Sequence, residues 1–256
     1  VLAGLFAGAL EDAELRAESV SAKQLEATIA KAAPSIDAIA ALAKSPQVKV
    51  LAEIKRASPS KGKLNAITDV VTLAMTYQTG GASAISVLTE SRGFLGSLDD
   101  LRAVRAATNI PLLRKDFIST EYQILEARAA GADIILLIVA GLPSGRLIEL
   151  KQFAEQLGLA VLVETHNEGE VRFAVDIDTK LLGINARDLS TFETDRDLFS
   201  KLSHLIPSET IKIAESAVRD ADDVRHYRAA GADVVLIGEA LVTGDAELLL
   251  RQFTSV

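Results

Sequence analysis

Arg-Ala-Ala-Gly-Ala-Asp occupies residues 128–133, and the same six letters return at 228–233. An apolar run follows each copy, Ile134 to Val139 and Val234 to Ile237, and a weaker copy, Gly80-Gly81-Ala82-Ser83, precedes Ala84 to Leu88. Each unit reads as a helix ended by Gly, a short turn and a buried strand. One such unit is the ordinary connection of any parallel sheet. Its recurrence implies a succession of βα units.

Extending the pattern in both directions gives eight strands: Val48–Lys55, Ala84–Leu88, Pro111–Lys115, Asp133–Val139, Ala160–Glu164, Leu181–Asn185, Ile211–Glu215 and Asp233–Gly238. Helical patterns separate them near 68–79, 97–107, 119–130, 144–157, 168–175, 195–203, 220–230 and 245–254, with Thr120, Ser144 and Asp220 as N-cap candidates. Eight units over roughly 210 residues fit a (β/α)8 TIM barrel in the α/β class. A doubly wound open sheet is the alternative, but it rarely carries eight evenly spaced strands, and no GxGxxG turn follows the first strand. We therefore expect one barrel domain over residues 1–256. Residues 1–46 form an N-terminal helical extension covering one end of the barrel, with breaks near Pro34-Ser35 and Ser45-Pro46. Alone, that extension buries too little apolar surface to be a domain.

Composition limits the chemistry. The 256 residues are 49% apolar with mean hydropathy +0.25, ample for a large core. Aromatic content is 4% and Trp is absent, so Ala, Leu, Ile and Val fill that core. The net charge of −8 argues against nucleic acid as a partner and requires any anion site to be a local cluster. Without Cys there is no disulfide, thiol catalysis or thiolate metal site, and His166, His204 and His226 lack metal-ligand spacing. No apolar run is long enough to span a membrane. Residues 1–10 are apolar but lack a basic flank and run straight into Glu11-Asp12, so no signal peptide is expected and the chain reads as cytoplasmic. Val1 suggests that an initiator Met precedes this numbering.

The polar residues gather where a barrel keeps its active site, at the C-terminal ends of the strands. The first strand ends Glu53-Ile54-Lys55, with Glu53 and Lys55 on one face because side chains alternate. The third ends Arg114-Lys115-Asp116-Phe117, the fifth at Glu164, the sixth Asn185-Ala186-Arg187, the seventh Glu215-Ser216 and the eighth Gly238-Glu239, whereas the fourth is apolar throughout. One charged strand end is usually a solvated group or a structural ion pair; six converging on one rim indicate a site. Arg114, Asp116 and Arg56 alternate with the inward groups and read as structural partners. His166 reads as a loop residue, and His204 and His226 as surface. The loops after the last two strands suit a phosphate, with Ser216-Ala217 and Gly238-Glu239 offering backbone N–H groups and Lys55 and Ser58 completing the cradle. Glu239 suits that place only if its side chain turns away. Ser58-Pro59-Ser60-Lys61-Gly62 reads as a donor-rich loop beside it. The inventory fits cofactor-free acid–base chemistry on an anionic, phosphorylated small molecule. Lys55 and Lys115, as near neighbours, are expected to lower each other's pKa.

Several of these segments resemble the indole-3-glycerol phosphate synthase family. They are Ala52 to Gly62, Ile85 to Glu90 with Phe94-Leu95-Gly96-Ser97, Leu113 to Ile118 with Tyr122-Gln123-Ile124, Val163-Glu164, Gly183 to Leu189, and Ala214-Glu215-Ser216, in the family's order. The resemblance implies closure of the indole ring of 1-(2-carboxyphenylamino)-1-deoxyribulose 5-phosphate with loss of carbon dioxide and water, without metal or cofactor. It implies Lys115 as the acid at the ribulose carbonyl and Glu164 as the base or cation stabiliser. Lys55 binds anionic groups, with a proton for dehydration as a second role open to it. Glu53, Asn185, Glu215 and Ser216 orient hydroxyls and catalytic groups. Arg187 meets the anthranilate carboxylate, while Phe94, Phe117 and the N-terminal helices pack the aromatic ring. Members of the family are often monomeric, some are fused to other pathway enzymes, and this length suggests an unfused monomer.

Two departures stand out. Ala217 occupies a position where the family usually has Gly, at about 1 kcal/mol or more if the backbone there needs positive φ. Glu239 stands where many members carry a small residue. Phosphoribosylanthranilate isomerases, a rival phosphosugar barrel family, use a Cys that this chain lacks. A catalytically silent binding barrel would not need Lys55, Lys115 and Glu164 together.

Overall fold

The two hexapeptide copies close their helices identically in the computed structural model of the chain, which describes residues 1–58, 62–64, 67, 69–188, 191 and 193–256. Helices α6 (Glu121–Ala129) and α10 (Ala221–Ala229) run into Gly131 and Gly231, at φ 92° and 93°, where any side chain is strained. Ala132 N then donates to Ala127 O at 2.9 Å and Ala232 N to Tyr227 O at 3.0 Å, the long bond of a Schellman cap. Next, Asp133 accepts from Leu112 N and Asp233 from Lys212 N, both at 2.9 Å, fastening each new strand to the one before it. The Arg of each copy reaches the N-terminal segment: Arg128 donates to Ala33 O, and Arg228 to Ser45 O and Pro46 O. The repeat is therefore a device of the barrel floor.

The barrel strands are β1 (Lys49–Ile54), β4 (Ala84–Leu88), β5 (Leu112–Lys115), β6 (Ile134–Ile138), β7 (Ala160–Thr165), β8 (Leu181–Asn185), β9 (Ile211–Glu215) and β10 (Val234–Ile237). They pair in parallel in that order, and β1 closes on β10. All eight match the expected runs within two residues. A short antiparallel hairpin, β2 (Ala57–Ser58) with β3 (Gly62–Lys63), follows β1 and was not anticipated; Pro59, Ser60 and Lys61 of that loop lie outside the described residues, as does Leu189. Helices α4 (Val70–Thr79), α5 (Leu98–Ala107), α7 (Ser144–Gln156), α8 (Glu168–Asp176), α9 (Leu198–Leu202) and α12 (Ala246–Phe253) complete the outer ring with α6 and α10, and a five-residue α11 (Glu239–Thr243) starts directly after β10. Thr120 and Asp220 cap as expected, but Ser144 does not. Pro143 takes the N-cap position and Ser144 is the first helical residue, its hydroxyl making no cap bond.

Alternation along the strands builds two cores. Outward residues such as Val50, Ala52, Ile135 and Val163 pack under the helices. Inward residues, including Leu51, Leu113, Leu136, Leu162, Leu181, Ile213 and Leu236, fill the barrel interior. The same inward rows continue upward as Glu53, Lys115, Glu164, Glu215 and Gly238, so a packed apolar plug carries a charged layer on its upper surface.

The N-terminal extension comprises α1 (Leu2–Ser19), α2 (Ala22–Ile29) and α3 (Ala38–Leu42). Helix α1 lies over the catalytic end. Arg92, in the loop after β4, pairs with Asp12 and Glu11, and Arg16 with Glu126 of α6. The chain then descends along α6, and α3 plugs the opposite end, where Ala38 and Leu42 join the interior core and Asp133 accepts from Ile36 N. Sequence patterning suggested one covered end; the extension serves both.

Candidate active site

Above the apolar plug lies a cavity of about 580 Å³. Glu53, Lys55, Ser58, Phe94, Lys115, Phe117, Glu164, Asn185, Arg187, Glu215, Ser216, Ala217, Gly238 and Glu239 all line it, so every residue singled out from the sequence converges on one space. The period of two aims Glu53, Lys115, Glu164, Asn185 and Glu215 there from their strands, and the segments that follow the strands supply the others. Among the described residues, no group of His, Cys, Asp and Glu could hold a metal ion.

Two linked ion pairs occupy the floor. Lys55 Nζ is 2.8 Å from Glu53 Oε1, and Lys115 Nζ is 3.3 Å from Glu164 Oε2 and 3.5 Å from Glu215 Oε2. Asn185 binds across the gap between β8 and β9, its Oδ1 accepting from Ser216 Oγ at 2.8 Å and from Arg187 N at 3.0 Å. Gly238 closes the ring on the β1 side. A Cβ there would lie 2.5 Å from Glu53 Oε1 and 3.2 Å from Lys55 Nζ, so the backbone of the last strand comes close to the first ion pair.

Burial and neighbours separate the charges. Burial works against the Lys115 ammonium, but Glu164, Glu215 and Glu53 outweigh it and hold its pKa well above the ordinary lysine value. For Lys115 this overturns the expectation of a depressed pKa, because three carboxylates lie closer to it than sequence spacing reveals. Burial pushes Glu164 up, yet Lys115 and His166 reverse the shift and keep it ionised; Glu53 is likewise held low against burial by Lys55 and Lys115. Glu215 goes the other way. Burial and the neighbouring Glu164 charge push it well up, with Lys115 working against them.

The structural partners read from the sequence are in place. Arg114 is fully buried, and its Nη2 is 2.8 Å from Asp116 Oδ2; Arg56 Nη2 donates to Asp100 at 2.9 Å. Three participants were missed. Glu90 accepts from the backbone of Arg92, Gly93 and Phe94 at 2.7–2.9 Å and so shapes the loop carrying Phe94. Phe6 of α1 meets Phe117 edge-on at 5.5 Å, and Phe94 lies 6.0 Å from Phe117, giving an aromatic wall on one side of the cavity. His166 contacts Glu164 directly. Its signal was the same alternation: two residues beyond Glu164, it faces the same way.

Ser216 and Ala217 have φ 71° and 59°, so the condition attached to Ala217 is met. An L-residue in that region costs roughly 1–2 kcal/mol, against about 0.4–1 kcal/mol of extra unfolded-state freedom for Gly. Ala217→Gly is therefore expected to leave stability unchanged or raise it by up to about 1.6 kcal/mol, where most Ala→Gly changes destabilise. Urea unfolding checks this; a loss of stability would show that the loop is not strained at Ala217.

The profile of the indole-3-glycerol phosphate synthase family matches residues 2–253. An indole-3-glycerol phosphate synthase of Leifsonia xyli subsp. xyli is 56% identical over 256 residues, covering 100% of this chain and 98% of the relative. Those of Arthrobacter sp. and Mycobacterium ulcerans are 53% and 51% identical, covering 95% and 96% of this chain and 91% and 90% of theirs. Among solved structures, thiamine phosphate pyrophosphorylase from Pyrococcus furiosus superposes with a TM-score of 0.62 at 14% identity, covering 81% of this chain and 94% of that one. The N-acetylmannosamine-6-phosphate 2-epimerase from Clostridium perfringens gives 0.61 at 13% identity, covering 88% and 98%. At such identities these two show the barrel fold alone.

Proposed function

The chain belongs to the indole-3-glycerol phosphate synthase family, and from that premise we propose how the cavity divides the work of the reaction. The enzyme is a carboxy-lyase of tryptophan biosynthesis. It closes the indole ring of 1-(2-carboxyphenylamino)-1-deoxy-D-ribulose 5-phosphate with loss of carbon dioxide and water.

The observation that carries the assignment of roles is the buried contact of Lys115 with Glu164 at 3.3 Å, an acid and a base on one cavity wall. Lys115 donates to the ribulose carbonyl oxygen as the carboxylate-bearing ring carbon attacks the carbonyl carbon. A C–C bond forms, and the carbonyl becomes a hydroxyl. Positive charge spreads over the ring and its nitrogen, and the ionised Glu164 stabilises it. Carbon dioxide then departs and leaves its electron pair in the ring. Dehydration finishes the indole: the hydroxyl leaves with a proton from Lys55 or Lys115, and Glu164 takes the proton from the adjacent carbon.

Around that axis, Glu53 fixes Lys55, while Asn185, Ser216 and Glu215 orient hydroxyls and catalytic groups. Arg187 receives the anthranilate carboxylate, and Phe94 and Phe117 hold the aromatic ring. Backbone N–H groups of Ala217, Gly238 and Glu239, with Lys55 and Ser58, receive the phosphate. This reading has one barrel domain acting as a monomer in the cytoplasm, and it is supported by every group in the scheme coming from a single chain. Mixing the purified protein with the carboxyphenylamino-ribulose phosphate should produce indole fluorescence; silence from well-folded protein would overturn the reading.

A further inference from the structure

His166 sits between two carboxylates. Its Nε2 is 3.2 Å from Glu164 Oε1, and its Nδ1 is 3.2 Å from Glu170 Oε2. The far end of this chain is anchored by the start of α8. Asn167 is the N-cap and accepts from Glu170 N at 3.0 Å; Glu170 Oε2 accepts from His166 N at 2.7 Å, and Glu170 Oε1 from Asn167 Nδ2 at 2.6 Å. Helix capping thus fixes the same carboxylate that grips the imidazole, and the loop has little freedom to turn the ring away. A neutral imidazole donates from only one nitrogen and would turn a lone pair toward the other carboxylate. Between two ionised carboxylates the ring must carry its proton on both sides.

We propose that His166 is a positioning residue for this reaction: anchored by Glu170, it holds the Glu164 carboxylate in place and ionised while substrate is bound. The inference rests on Glu164 as the base. Burial alone would favour the neutral ring, but Glu164 and Glu170 push His166 up to about 10, so it stays charged through the neutral range. Glu164 itself is faced by Lys115 from β5, Glu215 from β9, Glu53 from β1 and Asn185 from β8. Lys115 is committed to the substrate carbonyl during attack, so His166 is the cation that remains with Glu164 when its first partner is drawn away. The Nε2 contact is long and makes no well-formed hydrogen bond among the described residues, as catalytic contacts often do until substrate tightens them.

Three substitutions separate the two ring nitrogens. Gln places an N–H near the Nε2 position, Asn near the Nδ1 position, and Ala in neither. His166→Gln should keep kcat within about threefold, whereas His166→Asn and His166→Ala should lower it by about 10- to 100-fold with little change in KM. All three variants lack the cation, so the pKa of Glu164 rises and the acid limb of the kcat–pH profile should move to higher pH in each, least in Gln, whose N–H still meets the carboxylate; the kcat values are compared on the pH plateau. The proposal is overturned if Asn and Ala turn over within about threefold of the parent, if the acid limb stays put, or if Gln falls as far as Ala. Should His166→Ala fail to fold, the Gln and Asn variants still decide the matter. Glu164→Gln, measured alongside, tests the underlying reading separately: near-normal turnover there removes Glu164 as base whatever His166 does.

Discussion

Lys115→Ala should lower kcat by about 10³- to 10⁴-fold while leaving KM and the fold close to those of the parent. Two losses combine in that figure. The proton donor to the ribulose carbonyl disappears, and the ammonium that compensates charge developing on its oxygen goes with it. Binding survives because the proposed phosphate and carboxylate contacts, at Lys55, Ser216 to Glu239 and Arg187, lie on other strands. Lys115→Arg separates the two losses. Arg keeps the charge beside Glu164 and Glu215 but cannot release its proton. If Lys115 delivers a proton, the Arg variant falls nearly as far as Ala; if it supplies charge alone, much of the rate returns. Steady-state indole fluorescence with each folded variant is the measurement, and near-normal turnover of Lys115→Ala would remove Lys115 from the chemistry. The direction of its pKa sharpens the test. Three carboxylates hold Lys115 protonated throughout the neutral range, so no basic limb near neutrality should belong to this residue.

How far the sequence reaches depends on which interactions are local. Parallel strands covered on both sides read as unbroken apolar runs, and the caps at Thr120 and Asp220 are set by residues three or fewer apart; these features were legible. So was the convergence of Glu53, Lys115, Glu164 and Asn185, because alternation and barrel closure together fix where they point. What was not legible came from pairings across the rim. Lys115 is tuned by Glu164, Glu215 and Glu53 from three other strands, and no spacing along the chain ranks those distances against that to Lys55. Phe6 reaches Phe117 only because Arg92 and Glu126 dock α1, a contact between segments about 80 to 110 residues apart. His166 is the exception. It is the loop residue that the sequence suggested, just past the end of β7, but its alternation with Glu164 and the Asn167–Glu170 cap were both visible and pointed to the contact with Glu164.

Arg114, adjacent to Lys115 and on the opposite face of β5, should show the reverse behaviour. Its guanidinium is fully buried and donates to Gln123 O at 2.7 Å, Thr89 Oγ1 at 3.1 Å and Asp116 Oδ2 at 2.8 Å, with Glu126 Oε2 3.4 Å away. Arg114→Ala removes every one of these donors and strands Asp116 inside the protein. Glu126 retains Arg16, whereas Asp116 keeps hydrogen bonds from Thr89 Oγ1 and Phe117 N but loses the cation it touches. Breaking a buried pair from one side costs about 3–5 kcal/mol. In a domain of this size that lowers Tm by roughly 6–10 °C. The cost lies mainly in the stranded carboxylate, not in the lost attraction, so Asp116→Ala added to Arg114→Ala should recover part of it, a non-additivity that a double-mutant cycle reads directly. A loss under about 1 kcal/mol for Arg114→Ala, or strict additivity, would mean that water or rearrangement satisfies Asp116 and that the cluster is not what fastens β5 to α6. Set against Lys115→Ala, the pair is diagnostic. Two cations one residue apart differ only in the face they occupy, and alternation alone sends one loss into the folding free energy and the other into the barrier of the reaction.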